Sequence, residues 1–329
     1  VSRAKALDMK AVALSDTDRM SGLILFYLEC QRAGLKPILG VELTNPKNLH
    51  EHIVLLAKNA NGYGDLCEII SKRHLDPHFS YAKIFANKRW PNLLFFTNFP
   101  HILQFLTSTP NRENLYAELI NNSPDMRKRS KAVEKIAMSL SVPLLVSNNS
   151  FFLYPDDWEI HKILTAIGLS STLSRLRHEE FAPRNAYFRS AGEINNLFCN
   201  HKEAIENTER IADQCDISLK LTEWVLPEIS VPRGYTPDTY LSNLAMGGLE
   251  ANYGGLKEYS QARQIQEMEL DVISRLGYSS YFLIVKNIRD WANKELRTSY
   301  RIPRDCSILR GSAANSITFH NIGVSDLCP

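Results

Sequence analysis

The sequence predicts an α/β fold, a β/α barrel or an open doubly wound sheet, followed by a second and smaller unit. Three observations predict it. Short β-rich runs alternate with longer stretches of helical period over the first two-thirds of the chain. Pro227, Pro232, Gly234 and Pro237 then crowd together, as at a junction between domains. The 329 residues, 44% hydrophobic and 22% charged, have ordinary globular composition and suffice for one large barrel and part of another domain.

The elements follow in order. Ala11 to Leu14 forms the first apolar run, with a polar turn expected at Ser15-Asp-Thr-Asp18 and a helix from about Ser21 to Ala33, ended by Gly34. Strands are expected at Pro37–Val41 and Ile53–Ala57, with a helix at Gly62–Ser71. Leu93–Phe96 reads as a strand, Ile102–Leu106 as a short helix and Leu115–Ile120 as a strand. Asp125–Leu140 has helical spacing, and the basic run Arg127-Lys-Arg-Ser-Lys131 falls on its outer face. Val142–Val146 is a further strand and Asp157–Ile167 a further helix; beyond the junction, Gln261–Leu276 and Tyr281–Asn293 look helical. Both architectures place helices beside a largely parallel sheet, so both remain open at this level.

Composition excludes several classes. Cys30, Cys67, Cys199, Cys215, Cys306 and Cys328 include no C-x-x-C pair, which argues against a zinc module or a disulfide framework and for a reducing, cytoplasmic setting. The longest apolar runs, such as Leu23–Leu28, are far too short to span a bilayer, and no secretory leader is visible. A net charge of +2 says nothing about nucleic acid, so local charge must carry that argument. The chain opens on Val1 and stops at Pro329, and both ends are expected to be cut.

Several ordered segments resemble the alpha subunit of bacterial DNA polymerase III, the C family of DNA polymerases. Ala13-Leu-Ser-Asp-Thr-Asp18, Ala33-Gly-Leu-Lys-Pro-Ile-Leu-Gly-Val-Glu42, His52-Ile-Val-Leu-Leu-Ala-Lys-Asn59 and Gly62-Tyr-Gly-Asp-Leu-Cys67 are similar to the start of that family's PHP domain. Val146-Ser-Asn-Asn149 with Leu153-Tyr-Pro-Asp156 is similar to its late strand and loop. Glu269-Leu-Asp-Val-Ile273, Gly277-Tyr278, Tyr281-Phe-Leu-Ile-Val285 and Arg310-Gly-Ser-Ala-Ala314 are similar to the opening of the palm. The resemblance implies a PHP-type distorted β/α barrel over residues 1–218. Residues 219–329 would then be the N-terminal part of an α+β, nucleotidyltransferase-like palm.

Active PHP sites hold a metal cluster, and the resemblance implies where its ligands would stand. Such chemistry needs imidazoles and carboxylates converging at a barrel mouth to activate water. Asp16 and Glu42 are retained, whereas Thr17 stands in place of His, Asn149 in place of Asp and Phe151 in place of His. Amide, hydroxyl and phenyl groups cannot replace those donors. The barrel is therefore expected to be metal-free, with Asp16 and Glu42 as vestiges. Asp16-x-Asp18 is read as a turn pair, not a two-metal polymerase centre. His161 matches a family position as well, but its helical spacing accounts for it without a ligand role.

Arg310-Gly-Ser312 is the most chemically informative stretch. Gly311 lets backbone approach a ligand, Ser312 offers a hydroxyl and Arg310 a planar fork suited to phosphate. In the resembled palm this corner meets the incoming triphosphate; the simpler reading is that Ser312 caps a helix continuing to His320. Two departures mark the segment: Ser307-Ile308-Leu309 stands where the family has Gly-Pro-Gly, and Asn315 where Gly is common. Between Lys286 and Arg310 lie seven basic residues against three acids. Lys286, Arg289, Arg301 and Arg304 are the positions expected to face DNA phosphates, with salt-sensitive binding.

The resemblance thus implies part of a DNA-directed DNA polymerase using template-primer DNA, deoxynucleoside triphosphates and Mg²⁺, with replication partners such as a sliding clamp and no membrane. The acids that hold Mg²⁺ are expected downstream of Pro329, so no catalytic residue is assigned. The alternatives are a PHP phosphoesterase or 3′–5′ proofreading exonuclease, distinguished by its ligand set, and a non-catalytic replisome scaffold.

Overall fold

A computed structural model describes residues 1–221, 225–300 and 315–327 and divides the chain into two compact units, Val1–Leu219 and Lys220–Pro329. In the first unit α1 (Ser2–Ala6) leads into β1 (Ala11–Thr17), α2 (Leu23–Ala33), β2 (Lys36–Asn45) and β3 (Asn48–Ala57). There follow α3 (Ala60–Leu75), α4 (Tyr81–Phe85), β4 (Leu93–Thr97), α5 (Pro100–Thr107), β5 (Leu115–Leu119), α6 (Pro124–Leu140) and β6 (Leu144–Val146). The unit ends with α7 (Trp158–Gly168), α8 (Ala191–Leu197) and α9 (Lys202–Gln214).

The six strands lie in one sheet in chain order, curled into a half barrel. β1–β2, β4–β5 and β5–β6 are parallel, and β3 is antiparallel to both neighbours. The reason is local. β2 passes to β3 through Pro46 and Lys47 alone, and so short a link permits only an antiparallel neighbour. No pairing joins β1 to β6 among the described residues, so the barrel is a distorted, open one.

Both faces of the sheet are covered, which is why the strands read as continuous apolar runs. Leu39, Val41, Ile53, Leu55, Leu93 and Phe95 pack with α2 to α6, including Leu66, Phe85, Leu103 and Val133. Their alternates Ile38, Val54, Leu56, Leu94 and Phe96 pack with Leu145, and with Ile211 and Cys215 at and beyond the end of α9. α9 also covers an edge: Asn207 Nδ2 donates to the Leu144 carbonyl at 2.8 Å, and Thr208 Oγ1 to that of Val146 at 3.1 Å. β6 is thereby shielded from foreign strands.

The second unit is helical in its described residues: α10 (Pro237–Tyr253), α11 (Tyr259–Arg275), α12 (Ser279–Thr298) and α13 (Ile317–Asn321). Leu241, Ala245, Ile273, Leu283, Phe319 and Ile322 form its core. Gly248 permits the closest approach, since a Cβ there would stand 1.8 Å from the Asn321 carbonyl oxygen.

Three expectations need correction. The turn expected at Ser15–Asp18 starts only at Asp18 (φ 50°), because parallel pairing carries β1 on to Thr17 opposite Glu42. The helix reaching His320 starts at Ile317 and is capped by Ser316, whose hydroxyl accepts the Phe319 N–H at 3.3 Å, while Ser312, expected as its cap, lies outside the described residues. Five helices (α1, α4, α8, α9 and α10) lack sequence counterparts in the reading above.

Candidate functional site

The strand register decides what can meet at the barrel mouth. Thr17 pairs with Glu42, so the two side chains share a face, and Thr17 Oγ1 donates to Glu42 Oε1 at 2.9 Å. His52 reaches the same carboxylate from β3, with Nε2 3.6 Å from Glu42 Oε2. Burial pushes the His52 imidazole below its usual pKa, against the upward pull of Glu42, and the Arg129 charge pushes it down further. The His52 ring packs edge-on to Phe99 at 5.2 Å, and the Arg129 guanidinium lies over Phe99 at 4.3 Å.

Glu118 completes this interior. It lies in β5, 2% exposed, and Oε2 has no hydrogen-bond partner among the described residues. Burial pushes its carboxyl up to about 7; the Ser147 hydroxyl opposes that rise, and the Glu42 charge adds to it. Asn98 Nδ2 donates to the Glu118 carbonyl at 2.6 Å, tying β4 to β5 at this depth.

Asp16 is not part of the cluster. It pairs with Val41, whose side chain belongs to the opposite face, and Oδ2 lies 3.2 Å from where a Cβ on Gly22 would stand. Asp18 is structural: its carboxylate accepts from the Thr44 backbone and hydroxyl and pairs with Arg73 at 3.1 Å.

The late loop is built from amides. Arg189, 7% exposed, donates to the side-chain oxygens of Asn122 and Asn148 at 2.6 and 2.7 Å. Asn122 in turn donates to the carbonyls of Asn148 and Asn149. Asn149 has φ 45°, a conformation that asparagine tolerates well. Phe151 is 48% exposed and its ring lies 5.7 Å from that of His161. His161 Nε2 accepts the Ala182 N–H at 2.9 Å, and burial lowers its pKa, so the imidazole is a neutral structural acceptor.

A multinuclear metal centre does not fit this donor set. The Thr17 hydroxyl occupies one oxygen of Glu42, Asn149 carries a neutral amide instead of a carboxylate, and Phe151 has no donor atom. Among the described residues no group of three or more His, Cys, Asp or Glu side chains could hold a metal ion. His52 and Glu118 are the residues that sequence reading missed. The available signal was a polar residue embedded in each apolar strand, but only the register brings them together.

In the second unit, Lys286 pairs with Asp290 at 2.6 Å and Arg289 with Asp326 at 3.2 Å. Arg289, Asp290, Asn293, Lys294, Arg297 and Thr298 line a shallow concavity along α12, with three bases against one acid. Arg301, Arg304, Arg310, Gly311 and Ser312 lie outside the described residues. No helix among the described residues is long and apolar enough to cross a membrane.

Two family models match separate stretches of the chain. Residues 1–121 match the PHP domain, and residues 239–329 match the bacterial DNA polymerase III alpha NTPase domain. The DNA polymerase III subunit alpha of Pseudomonas fluorescens is 28% identical over 366 residues, covering 100% of this chain and 30% of that protein. Its counterpart in Halalkalibacterium halodurans is 27% identical over 100% of the chain and 30% of the relative, and that of Borreliella burgdorferi 28% over 100% and 31%. The expected resemblance to the polymerase III alpha subunits therefore holds along the whole chain. The chain spans about 30% of the length of these relatives.

Proposed function

We propose that this chain is the N-terminal part of a DNA-directed DNA polymerase, in which residues 1–218 form a catalytically silent PHP barrel and residues 219–329 begin the palm. The observation that carries the reading is the ordered, end-to-end match to polymerase III alpha subunits, PHP segment first and NTPase segment second. Its substrates are template-primer DNA and deoxynucleoside triphosphates, with Mg²⁺ held by acids beyond Pro329, in the cytoplasm and alongside other replication proteins such as a sliding clamp. When bound, Mg²⁺ supplies charge stabilisation at the transferred phosphoryl group. The role of this chain is to hold the triphosphate at Arg310, Gly311 and Ser312 and to offer DNA phosphates the basic face that includes Lys286, Arg289, Arg301 and Arg304. The phosphoesterase and exonuclease alternative finds no support at the barrel mouth, where Thr17 bonds Glu42 and the late loop is amide-built.

The test is primer extension by the full-length protein in Mg²⁺ with all four deoxynucleotides. Template-dependent extension is expected from it and none from residues 1–329 alone. Arg310→Ala removes a charge-assisted contact, about 1.5–3 kcal/mol, so incorporation efficiency should fall about ten- to hundredfold. Ser312→Ala should cost less, about 1 kcal/mol. Failure of the full-length wild type to extend a primer overturns the reading.

A further inference from the structure

α6 turns Ser130, Val133 and Ala137 inward, and its opposite face looks out to solvent. Arg127, Lys128, Lys131 and Lys135 are exposed and share an arc of about 100° on that outer face. The two acids of α6, Asp125 and Glu134, fall to either side of the arc, and Glu134 is taken by His201 at 3.0 Å. None of the four bases forms an ion pair or a side-chain hydrogen bond among the described residues. Other helices of the first unit set an acid one turn from an exposed base. Arg32 pairs with Glu29 on α2, Lys72 with Glu68 on α3 and Arg210 with Glu206 on α9.

The α6 face does the reverse, and the helix is the less stable for it. Arg127 and Lys131, like Lys131 and Lys135, are equal charges four residues apart, which repel. Arg127 also closes the first turn, at the end where the helix macrodipole disfavours cations. An acid at any of these positions would relieve the strain, and so would a bound polyanion. Pro124, Arg127, Lys128 and Lys131 line one shallow hollow, and no acid lines it. Three cations around one hollow suit a phosphate oxyanion.

We propose that the outer face of α6 is a contact for the phosphodiester backbone of duplex DNA. Arg127, Lys128 and Lys131 gather at one phosphate, and Lys135 lies further along the strand. From Arg127 to Lys135 is about 12 Å of helix axis, over which one DNA strand carries about three to four phosphates. Between those two residues the exposed face carries no aromatic or large apolar side chain. A protein interface needs such groups at its centre, and single-stranded bases need them for stacking. Backbone contact with a duplex needs neither and reads no base sequence. The choice of DNA among polyanions rests on the polymerase reading; the cationic face does not.

The experiment measures binding of a fluorescently labelled template-primer to the full-length protein, by anisotropy from about 50 to 200 mM salt. One variant combines Arg127→Gln, Lys128→Gln and Lys131→Gln. A control combines Arg32→Gln, Lys72→Gln and Arg210→Gln, removing equal charge from ion-paired positions. The first should bind about tenfold more weakly at the lower salt, whatever the duplex sequence. Its slope of log affinity against log salt should be shallower by about two to three. The control should stay within about twofold of wild type, and primer extension at saturating DNA should be unchanged in both. Glutamine keeps the helix and removes the repulsion, so the first variant should melt no lower than wild type. Should it not fold, Lys131→Glu alone is read by the same slope. Wild-type affinity and slope in the first variant, while wild type extends primers, overturn the inference and leave the polymerase reading standing. An equal loss in the control overturns it too, since bulk charge would then be the cause. Unchanged DNA affinity beside weakened binding of a polyglutamate probe would assign the face to an acidic protein instead. A wild type that binds template-primer but extends none sinks the polymerase reading alone, provided the first variant still loses its slope.

Discussion

The barrel mouth and the α13 junction gather the same chemical groups, carboxylates with hydroxyls and amides, and put them to different use. At the mouth, Thr17, Glu42, His52 and Glu118 face one another; Thr17 bonds Glu42, and Glu118 is left with an unpartnered oxygen. At the junction every hydrogen bond that Glu269 accepts among the described residues comes from α13 or its cap. The first arrangement leaves a buried carboxyl oxygen without a partner among the described residues. The second orders a short helix that has no stability of its own. A carboxylate buried among polar groups is therefore no sign of chemistry until its partners are counted.

The comparison breaks most readily at Gly248. Gly248→Ala brings a Cβ against three backbone atoms of Asn321. Alanine gains about 1 kcal/mol of helix propensity over glycine, while overpacking typically costs about 1–3 kcal/mol and sometimes more. Backbone cannot swing aside as a side chain can, so we expect a net loss of about 2–3 kcal/mol confined to the second unit. Site-resolved hydrogen exchange would check it, and equal loss of protection in the sheet would contradict the separateness of the two units.

Glu118 sharpens the comparison from the other side. Its folded pKa of about 7 lies above the usual carboxylate value, so the folded state keeps a proton that the unfolded state gives up. Its stability contribution is complete below the unfolded pKa and is lost as pH rises to about 7. Glu118→Gln should thus stabilise the first unit at pH 8 by on the order of 2 kcal/mol and leave it unchanged near pH 4. Chemical denaturation at the two pH values measures the difference. A gain that does not depend on pH would contradict the buried-proton account.

The smallest effect belongs to Thr17. Its bond to Glu42 is neutral-to-charged but solvent-facing, and Thr17→Ala should cost below about 1 kcal/mol. A loss several times larger in a melting curve would show that this bond does more than tie β1 to β2 at the surface.

Much of the first unit was legible because its strands are buried on both faces. Ile53–Ala57 and Leu93–Phe96 read as unbroken apolar runs, and the helices between them carry one apolar stripe each. α9 escaped because Lys202–Gln214 is mostly polar, and two of its inward-facing groups, Asn207 and Thr208, serve strand carbonyls that no periodicity reveals. The site was less legible. Asp16 and Thr17 are adjacent in sequence, yet only Thr17 faces Glu42, and a one-residue change of face is set by register, not by residue type. His52 and Glu118 stand 66 positions apart. Only the curl of the sheet relates them. Ser316 was overlooked as a cap because the more conspicuous Ser312 drew the helix start four residues upstream.

The most direct test of the central claim, that the barrel mouth has turned its remaining polar groups on one another, is metal stoichiometry. The chain would be purified in the presence of zinc and manganese, dialysed without chelator and analysed for metal by mass spectrometry. The account predicts less than one metal ion per chain, unchanged in Glu42→Gln. Two or more ions per chain, lost in Glu42→Gln, would contradict it and restore the barrel as a metal centre.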